Sequence, residues 1–294
     1  MGKPTVAIIG ASGFVGKVFF GRFKKDFETI GTFHDKKQEG MLQLDIKKSK
    51  EVEPFLKNNR PEIIFHLAAI TDVDLCEKNP ALCQKVHVEG VENVAKAAKK
   101  YGARMVYIST DFVFDGKKGN YTEADSPNPA NVYGKTKYLG EKMAEKADDY
   151  VIVRISMPYS SQYSSGKYIG WVIDKLENKK IVTAFADQIR TPTHAENLAE
   201  CMCMLAETKY NGILNVCGGT ALSMYDAGLE IASVFEFDKN LIKPVKGSEA
   251  GFAAFRPLNT SLSTAKAKKM GFPIKSFHDG IIEVKKYRER KGEA

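Results

Sequence analysis

The sequence contains no long apolar run. None of its hydrophobic stretches approaches the roughly 18 consecutive residues that a membrane-spanning helix needs. Residues 1–5 lead directly into an apolar, strand-like segment and do not form the pattern of a cleavable signal. We therefore expect a cytoplasmic protein without a membrane partner.

Cysteine is scarce, and its spacing excludes the commonest cysteine-based sites. The five cysteines include no C-x-x-C pair, and their number is odd in a chain without an export signal. This usage is typical of reduced thiols in the cytosol. Cys201 and Cys203 lie in an apolar helical stretch, which favours buried small side chains over metal ligands. The sequence predicts no metal site.

Charge of one sign is only modestly in excess. The chain has 44 lysines and arginines against 36 acidic residues, a net charge of +8. Nucleic-acid binding needs basic residues clustered on one surface. Here they are spread over many predicted helices and concentrate only at 47–50 and 285–291. The distribution favours solvated helix faces and a small anionic ligand, and argues against nucleic acid as a partner.

The first 157 residues alternate strand and helix patterns in a chain long enough, at 294 residues, for a sizeable core. This alternation predicts βαβ units and a Rossmann-type doubly wound parallel sheet of the α/β class. After Ser156 the pattern is less regular. We predict an NAD(P)-binding domain over 1–157 and a smaller, mainly substrate-binding lobe over 158–294, some segments of which could return to the first domain. The predicted strands are 5–9, 29–33, 41–44, 62–67, 104–109 and 150–155, and the predicted helices are 13–25, 49–58, 80–100 and 131–146.

Three glycines stand between the first predicted strand and the first predicted helix. They let the backbone turn sharply and approach a pyrophosphate, while the helix N-terminus offers free N–H groups. The spacing is G-x-x-G-x-x-G, not the commoner G-x-G-x-x-G. The order of strand, glycines and helix nevertheless predicts dinucleotide binding, with these residues as contacts: Gly10, Ser12, Gly13, Phe14, Val15 and Gly16.

The end of the second predicted strand is where the cofactor ribose is recognised in such folds, about 20 residues after the glycine loop. His34 and Lys36 lie there and favour the 2′-phosphate of NADP(H). Asp35 would suit the 2′-hydroxyl of NAD(H), so that cofactor stays open. We expect NADP(H) over NAD(H).

Tyr133 and Lys137 are four residues apart on a predicted helix, which places both side chains on one face. A free phenol has a pKa near about 10, and a neighbouring cation lowers it. The pair therefore predicts a general acid, although many amphipathic helices carry this spacing. Its meaning depends on the motifs around it.

Together with the glycine loop and the segment Ser109-Thr-Asp-Phe-Val-Phe-Asp-Gly116, this pair makes the chain resemble the extended short-chain dehydrogenase/reductases. The resemblance is strongest to the dTDP-4-dehydrorhamnose reductases and to the related regulatory β-subunit of methionine adenosyltransferase, and it covers nearly the whole chain. Further motifs at family-like positions are Asp45-Ile46, His66-Leu-Ala-Ala69, Thr71-Asp-Val-Asp-Leu-Cys-Glu77, Glu123-Ala-Asp-Ser-Pro-Asn-Pro129, Asp187-Gln188, Thr191-Pro-Thr193 and Arg256-Pro257 with Asn259.

The resemblance implies a role for each matching residue. Thr110 would hold the substrate carbonyl together with Tyr133, and Lys137 would bind the nicotinamide ribose and lower the pKa of Tyr133. A hydroxyl donor and a protonated tyrosine suit the alkoxide that forms when a ketone accepts hydride. The remaining expected contacts are Asp45 and Ile46 at the adenine, Leu67, Ala68 and Ala69 along the cofactor, and Thr71, Asp111 and Met157 at the substrate.

Four positions depart from the pattern of these reductases. Phe112 replaces a tyrosine, and sugar-nucleotide dehydratases have a glutamate there, so dehydration is not expected. His87 replaces an asparagine, which leaves the helix-bend and proton-relay role of that position open. Met157 replaces a tryptophan that packs on the sugar. Arg190 replaces a glycine and is either an anion contact or a surface residue.

The residues and the resemblance together predict an NAD(P)-dependent oxidoreductase of the dTDP-rhamnose type. It would reduce the C4 ketone of a nucleotide-linked 4-keto-6-deoxy sugar, with Tyr133 as proton donor. Two alternatives stay open: a non-catalytic NADP-binding regulatory subunit, and another nucleotide-sugar reductase or epimerase. The resemblance also makes a homodimer possible.

Overall fold

The computed structural model describes residues 3–162 and 167–292. Its strands are β1 (Thr5–Ile9), β2 (Glu28–Phe33), β3 (Met41–Gln43), β4 (Ile63–His66), β5 (Arg104–Thr110), β6 (Tyr150–Ile155), β7 (Pro158–Tyr159), β8 (Val182–Phe185), β9 (Ile189–Arg190), β10 (Thr193–His194), β11 (Gly212–Asn215), β12 (Leu222–Ser223) and β13 (Ile242–Val245). Its helices are α1 (Phe14–Phe23), α2 (Ser49–Asn59), α3 (Val73–Lys78), α4 (Pro80–Gln84), α5 (Gly90–Tyr101), α6 (Val132–Ala144), α7 (Tyr168–Glu177), α8 (Ala195–Ala206), α9 (Met224–Phe235), α10 (Ala265–Lys269) and α11 (Phe277–Lys291).

Seven strands form one parallel sheet in the order β11-β6-β5-β4-β1-β2-β3. The order reverses between β1 and β4, as in doubly wound sheets. The predicted Rossmann-type α/β fold is therefore confirmed. Shorter pairs, β7 with β10, β9 with β12, and β8 with β13, lie outside this sheet.

Helices cover both faces of the sheet, and the side chains of β1 alternate between them. Val6 and Ile8 belong to one core cluster with residues of α1 and α8. Ala7 and Ile9 belong to a second cluster with residues of α2, α5 and α6. Because both faces are buried, the central strands appear in the sequence as apolar runs, and their predicted bounds are close to those observed.

The second half of the chain contributes to the sheet as well as to a separate core. Strand β11 pairs with β6, and α8 packs on the same face as α1. Cys201 and Cys203 of α8 are buried there, as predicted. A third core cluster is formed mainly by α7, α9, α11, β8 and β13. The division of the chain at residue 157 stays a prediction. No helix in the described part of the chain is long and apolar enough to cross a membrane.

The predicted helix over 80–100 is confirmed in extent, because helical backbone runs without a break from Pro80 to Tyr101. Between α4 and α5 the backbone forms a π-helical turn, Lys85–Glu89. His87 in this turn is fully buried; its Nε2 accepts from the Ile70 N–H at 2.9 Å, and its Nδ1 lies 2.8 Å from the Thr136 hydroxyl. The wider turn inserts this side chain among distant partners without ending the helix. His87 therefore lies in the π-helical turn of this helix.

Candidate active site

A groove lies at the carboxyl ends of the central strands, where the strand order reverses. It consists of two adjoining cavities of about 360 Å³ each, which share Gly10, Gly13, Leu67 and Ala69 in their walls. One cavity extends toward the ends of β2 and β3, and the other toward β5 and α6. The first includes Ser12, His34, Asp45, Ile46 and Ala68, and the second includes Phe14, Val15, Gly16, Thr71, Thr110, Asp111, Tyr133, Lys137 and Met157.

The glycine loop fits a dinucleotide phosphate. Gly10 has φ +88°, and a Cβ there would lie 2.7 Å from the backbone nitrogen of Ala68. A Cβ on Gly16 would lie 2.2 Å from the Gly10 carbonyl oxygen. The N-cap of α1 is Gly13, which has no side chain to bond the first-turn N–H groups. The helix start is therefore available to an anion, and the glycines let the backbone approach it.

The cavity near β2 and β3 has a charged rim. Asp45 lies 3.7 Å from His34 Nε2, and His34 Nδ1 lies 2.8 Å from Asp35. Burial favours a raised pKa for Asp45, but the Lys47 backbone N–H and the charges of Lys47, His34 and Lys48 lower the pKa below its usual value. Asp45 is therefore an anion at neutral pH, in the cavity where the adenine was predicted to lie.

Tyr133 and Lys137 are both buried on α6, which begins after Asn131; the Asn131 side chain accepts from the Gly134 N–H at 2.8 Å. Thr110 is the last residue of β5. The structure brings the three residues predicted to act on the substrate into the wall of one cavity. Their roles stay predictions, but their grouping follows from the βαβ arrangement, in which β5 and α6 are neighbours.

The pKa of Tyr133 shifts in the opposite direction from the prediction. Burial raises the pKa of Tyr133, and a hydrogen bond with Thr110 opposes this rise. The charge of Asp111 and the nearby thiols of Cys76 and Cys83 raise the pKa further. The prediction that a neighbouring cation lowers this pKa is wrong for the protein's own groups, because burial dominates. Tyr133 is a neutral phenol at physiological pH and holds a proton that it can donate.

Lys137 directs its amine into the sheet. Its Nζ donates to the Ile108 carbonyl at 2.8 Å and lies 4.1 Å from the centre of the Tyr107 ring. Burial lowers the pKa of Lys137 to about 7, and the negative charge of Glu141, one helical turn later, opposes that shift. The ammonium of Lys137 is therefore only partly populated at neutral pH.

Glu141 anchors this helix through a buried ion pair. Its two carboxylate oxygens accept from Arg154 Nε at 2.9 Å and Nη2 at 2.7 Å, and the Ser109 hydroxyl donates to it at 2.6 Å. Both charged side chains are 1% exposed. The bidentate geometry ties α6 to β5 and β6 directly below the cavity.

A polar network surrounds Asp111 at the end of the groove beside β5 and α6. The hydroxyls of Thr110, Ser156 and Thr260 all donate to its carboxylate, at 3.2 Å for Thr110 and 3.0 Å for Ser156. Burial raises the pKa of Asp111, while the charge of Arg190, 3.9 Å away, and the three hydroxyls oppose the rise. Asp111 thereby orients Thr110 at the cavity wall.

Arg190 is not a surface residue, so that alternative was wrong. It is 5% exposed, and its guanidinium donates to the carbonyls of Ile189, Pro257 and Leu258 at 2.8–3.0 Å. The same group lies 5.3 Å from the centre of the Phe112 ring. Arg190 therefore connects the loop at 257–258 with Phe112 in the wall of the cavity beside β5 and α6.

Some residues of the cavity wall were not predicted from the sequence. Tyr159, Lys167, Tyr168 and Ile169 belong to the less regular second half, where no motif marks them. Lys167 Nζ lies 5.5 Å from the centre of the Phe14 ring, so a cation lies over the glycine loop. The sequence signal that could have placed Tyr159 in this wall is a short strand pattern ending near residue 159.

Comparison with known proteins gives consistent matches over nearly the full length. The family model described as RmlD substrate binding domain matches residues 4–288. Methionine adenosyltransferase 2 subunit beta of Xenopus laevis is 29% identical over 94% of this chain and 86% of its own length. A probable low-salt glycan biosynthesis reductase of Haloferax volcanii is 28% identical over 89% of this chain and 90% of its own length.

Solved structures agree in architecture. The dTDP-4-dehydrorhamnose reductase of Bacillus anthracis, in complex with NADP, has a TM-score of 0.88 and 29% identity, and the match covers 98% of this chain and all of that one. A hypothetical dTDP-4-dehydrorhamnose reductase of Sulfolobus tokodaii has a TM-score of 0.87 and 33% identity, with 94% and 98% covered. A UDP-glucose 4-epimerase of Thermus thermophilus, complexed with NAD, is 19% identical and shares the fold.

Proposed function

Because this chain belongs to the RmlD substrate binding domain family, we propose that it is an NAD(P)H-dependent reductase of a nucleotide-linked sugar ketone. The substrate we favour is a 4-keto-6-deoxy sugar reduced at C4, as in the dTDP-4-dehydrorhamnose reductases. The observation that carries the proposal is the placing of Thr110, Tyr133 and Lys137 in one cavity that continues into the glycine-loop groove.

The groove would hold a nicotinamide dinucleotide along its length. Gly10, Gly13 and the start of α1 would bind the pyrophosphate, and Asp45 would lie at the adenosine end. When bound, the cofactor supplies the hydride. NADP(H) remains the cofactor we favour, on the basis of His34 and Lys36 after β2.

Thr110 and Tyr133 would act together on the ketone oxygen. As negative charge develops on that oxygen, the Thr110 hydroxyl can turn from Asp111 and donate its hydrogen bond to the ketone oxygen instead, and the Tyr133 phenol can transfer its proton. The raised pKa of Tyr133 keeps this proton in place over the physiological range. A protonated Lys137 would stabilise the phenolate that the transfer leaves, and Glu141 favours that protonated form.

Phe112 limits the reactions that this site could catalyse. At this position the ring faces Tyr133, with centroids 5.7 Å apart, and supplies no carboxylate for 4,6-dehydration. The adjacent carboxylate, Asp111, is held by three hydroxyls. These features support simple ketone reduction over dehydration.

A second candidate is a non-catalytic NADP-binding regulatory subunit. It is favoured by the matches to methionine adenosyltransferase 2 subunit beta over 94–95% of this chain. In that case the groove would bind the cofactor without turnover. A nucleotide-sugar epimerase or a reductase of another sugar is the remaining alternative. The cytoplasmic location and the homodimer stay predictions.

The test is a reductase assay with matched tyrosine variants. Enzymatically prepared dTDP-4-keto-6-deoxy sugar, and its UDP and GDP counterparts, are mixed with the protein and NADPH or NADH, and loss of nicotinamide absorbance is followed. Tyr133→Phe should lower kcat by about 10²–10⁴-fold with the Kd for NADPH within about twofold. The control is Tyr138→Phe on the same helix, outside the cavity wall, which should keep the wild-type rate.

The outcomes separate the candidates. Full activity of Tyr133→Phe would refute the proton-donor role. Tight NADPH binding without turnover on any ketosugar would refute the reductase. Elution of the protein together with the catalytic subunit of a methionine adenosyltransferase in size-exclusion chromatography would then support the regulatory candidate.

A further inference from the structure

Two cysteines that the proposed reaction does not use lie side by side behind Tyr133. Cys76 belongs to α3 and Cys83 to α4, and both are fully buried free thiols. Their sulfur atoms are 2.6 Å apart, and Cys76 Sγ also lies 3.9 Å from the Ile70 carbonyl oxygen. The two side chains form one apolar cluster with Tyr133.

The distance between the two sulfur atoms distinguishes a metal site from a disulfide. With His87, the two thiols form a group whose potential ligand atoms lie within 4.8 Å of one another. In a tetrahedral zinc site with Zn–S of about 2.3 Å, two thiolate sulfurs are roughly 3.8 Å apart. In a disulfide they are about 2.05 Å apart. The observed 2.6 Å is closer to the covalent arrangement.

His87 is also poorly suited to a metal. Its Nε2 accepts from the Ile70 N–H and its Nδ1 is bonded to the Thr136 hydroxyl, so both ring nitrogens are in use. The Thr136 hydroxyl itself donates to the carbonyls of Val132 and Tyr133, which leaves the imidazole as the donor to Thr136. Metal binding would break the hydrogen bond at Ile70 and separate the sulfurs. Disulfide formation requires neither.

We propose that Cys76 and Cys83 form a reversible disulfide, with a low-molecular-weight disulfide such as oxidised glutathione as the oxidant. One cysteine thiolate attacks the small disulfide, which forms a mixed disulfide and releases one small thiol. The second cysteine thiolate attacks the mixed disulfide, forms the Sγ–Sγ bond and releases the second small thiol. The two cysteines lose two electrons and two protons, and the two small thiols carry them away.

Thiol–disulfide exchange at Cys76 and Cys83 should be slow. Burial raises the pKa of both thiols, so little thiolate is present at neutral pH. Access requires local opening of α3 and α4, which are helices of six and five residues. The surface above them is exposed at Leu75, which is 41% accessible. The pair therefore stays reduced on brief exposure and responds to sustained changes in the thiol–disulfide balance.

Oxidation would reach the active site through packing. Forming the bond removes the S–H group of Cys76 that faces the Ile70 carbonyl and draws α3 toward α4. Val73 of α3 packs on the same cluster and lines the substrate cavity with Tyr133. Any change of activity depends on the proposed reductase function, whereas the disulfide itself does not.

The test counts thiols in the full chain. The protein is equilibrated in glutathione buffers of different ratios, quenched in acid, alkylated under denaturing conditions and analysed by intact mass and peptide mapping. In oxidising buffer we expect the alkylated thiols to fall from five to three, with the loss at Cys76 and Cys83 and recovery in dithiothreitol. Closing this eight-residue loop should raise Tm by about 4 °C.

Single-cysteine variants supply the controls. Cys76→Ser and Cys83→Ala should each lose at most one of their four alkylated thiols, as a mixed disulfide with glutathione that intact mass identifies, and should show no rise of Tm. Cys217→Ser, which removes a buried thiol from another cluster, should still lose two. Five alkylated thiols in all buffers would overturn the proposal. Retention of stoichiometric zinc through dialysis by the wild type, but not by Cys76→Ser, would overturn it in favour of a metal site.

Discussion

Glu141→Gln should destabilise the fold strongly, because it leaves a buried arginine without its counter-ion. Glu141 and Arg154 are both 1% exposed and joined by two hydrogen bonds of 2.7 and 2.9 Å. Glutamine keeps the size of the side chain and can still accept from Ser109, so packing is nearly unchanged. Breaking a buried ion pair by removing one partner costs about 3–5 kcal/mol.

That free energy corresponds to a readily measured change in Tm. Unfolding entropy is about 2.1 cal/mol/K per residue, or ~0.6 kcal/mol/K for 294 residues, so Tm should fall by about 5–8 °C. The matched control is Glu145→Gln, at the end of the same helix. Its partner Lys142 is 2.7 Å away, but the side chains are 44% and 31% exposed. Losing this exposed pair costs about 0.2–1 kcal/mol, a shift below about 2 °C.

Differential scanning calorimetry at pH 7 measures both variants, and a double variant identifies the cause. Glu141→Leu combined with Arg154→Met removes both charges, so it should restore most of the stability that Glu141→Gln loses. A shift for Glu141→Gln no larger than that for Glu145→Gln would refute the argument. A double variant as unstable as the single one would mean that packing, and not the uncompensated charge, sets the cost.

Three further predictions concern the groove. The pKa of Lys137 falls from 10.5 to about 7 on folding, so its burial opposes folding by at most about 5 kcal/mol below pH 7, and this cost disappears as the pH rises to 10.5. Lys137→Met should therefore raise Tm at pH 6 and have little effect at pH 10; the same gain at both values in thermal scans would contradict this. Gly10→Ala, which forces a Cβ against neighbouring backbone at φ +88°, should weaken NADPH binding more than about 100-fold in a fluorescence titration, whereas Gly21→Ala, with open space around it, should not. Arg190→Met frees the loop at 257–258 and removes the cation beside Asp111, so KM for the ketosugar should rise about tenfold with a smaller change in kcat; an unchanged KM in steady-state assays would show that this loop does not shape the substrate site.

The elements fixed by local pattern were predictable, and those fixed by distant contacts were not. The buried strands are apolar runs, and β6 was predicted at its observed bounds. The π-helical turn inside the helix over 80–100 was not predicted, because the partners that hold His87, Ile70 and Thr136, are 17 and 49 residues away. The short helix α3 was missed because six residues carry too little periodicity.

In the candidate site, too, features set by local sequence order were predictable, and features set by distant contacts were not. The grouping of Thr110 with Tyr133 could be expected from the order of strand, loop and helix. The direction of the Tyr133 pKa could not, because it depends on how deeply the ring is buried. The position of Arg190 was also beyond reach, since the carbonyls that bind it are 67 and 68 residues later.

The placing of β11 at the edge of the sheet has a consequence for synthesis on the ribosome. Its partner β6 ends at Ile155, whereas β11 begins only at Gly212. At about 5–20 residues per second, the intervening segment takes roughly 3–11 s to emerge. During that time the nascent chain presents β6 as an unpaired apolar edge, which is a template for aggregation. Chains that terminate before residue 212 should therefore depend on chaperones far more than the complete protein.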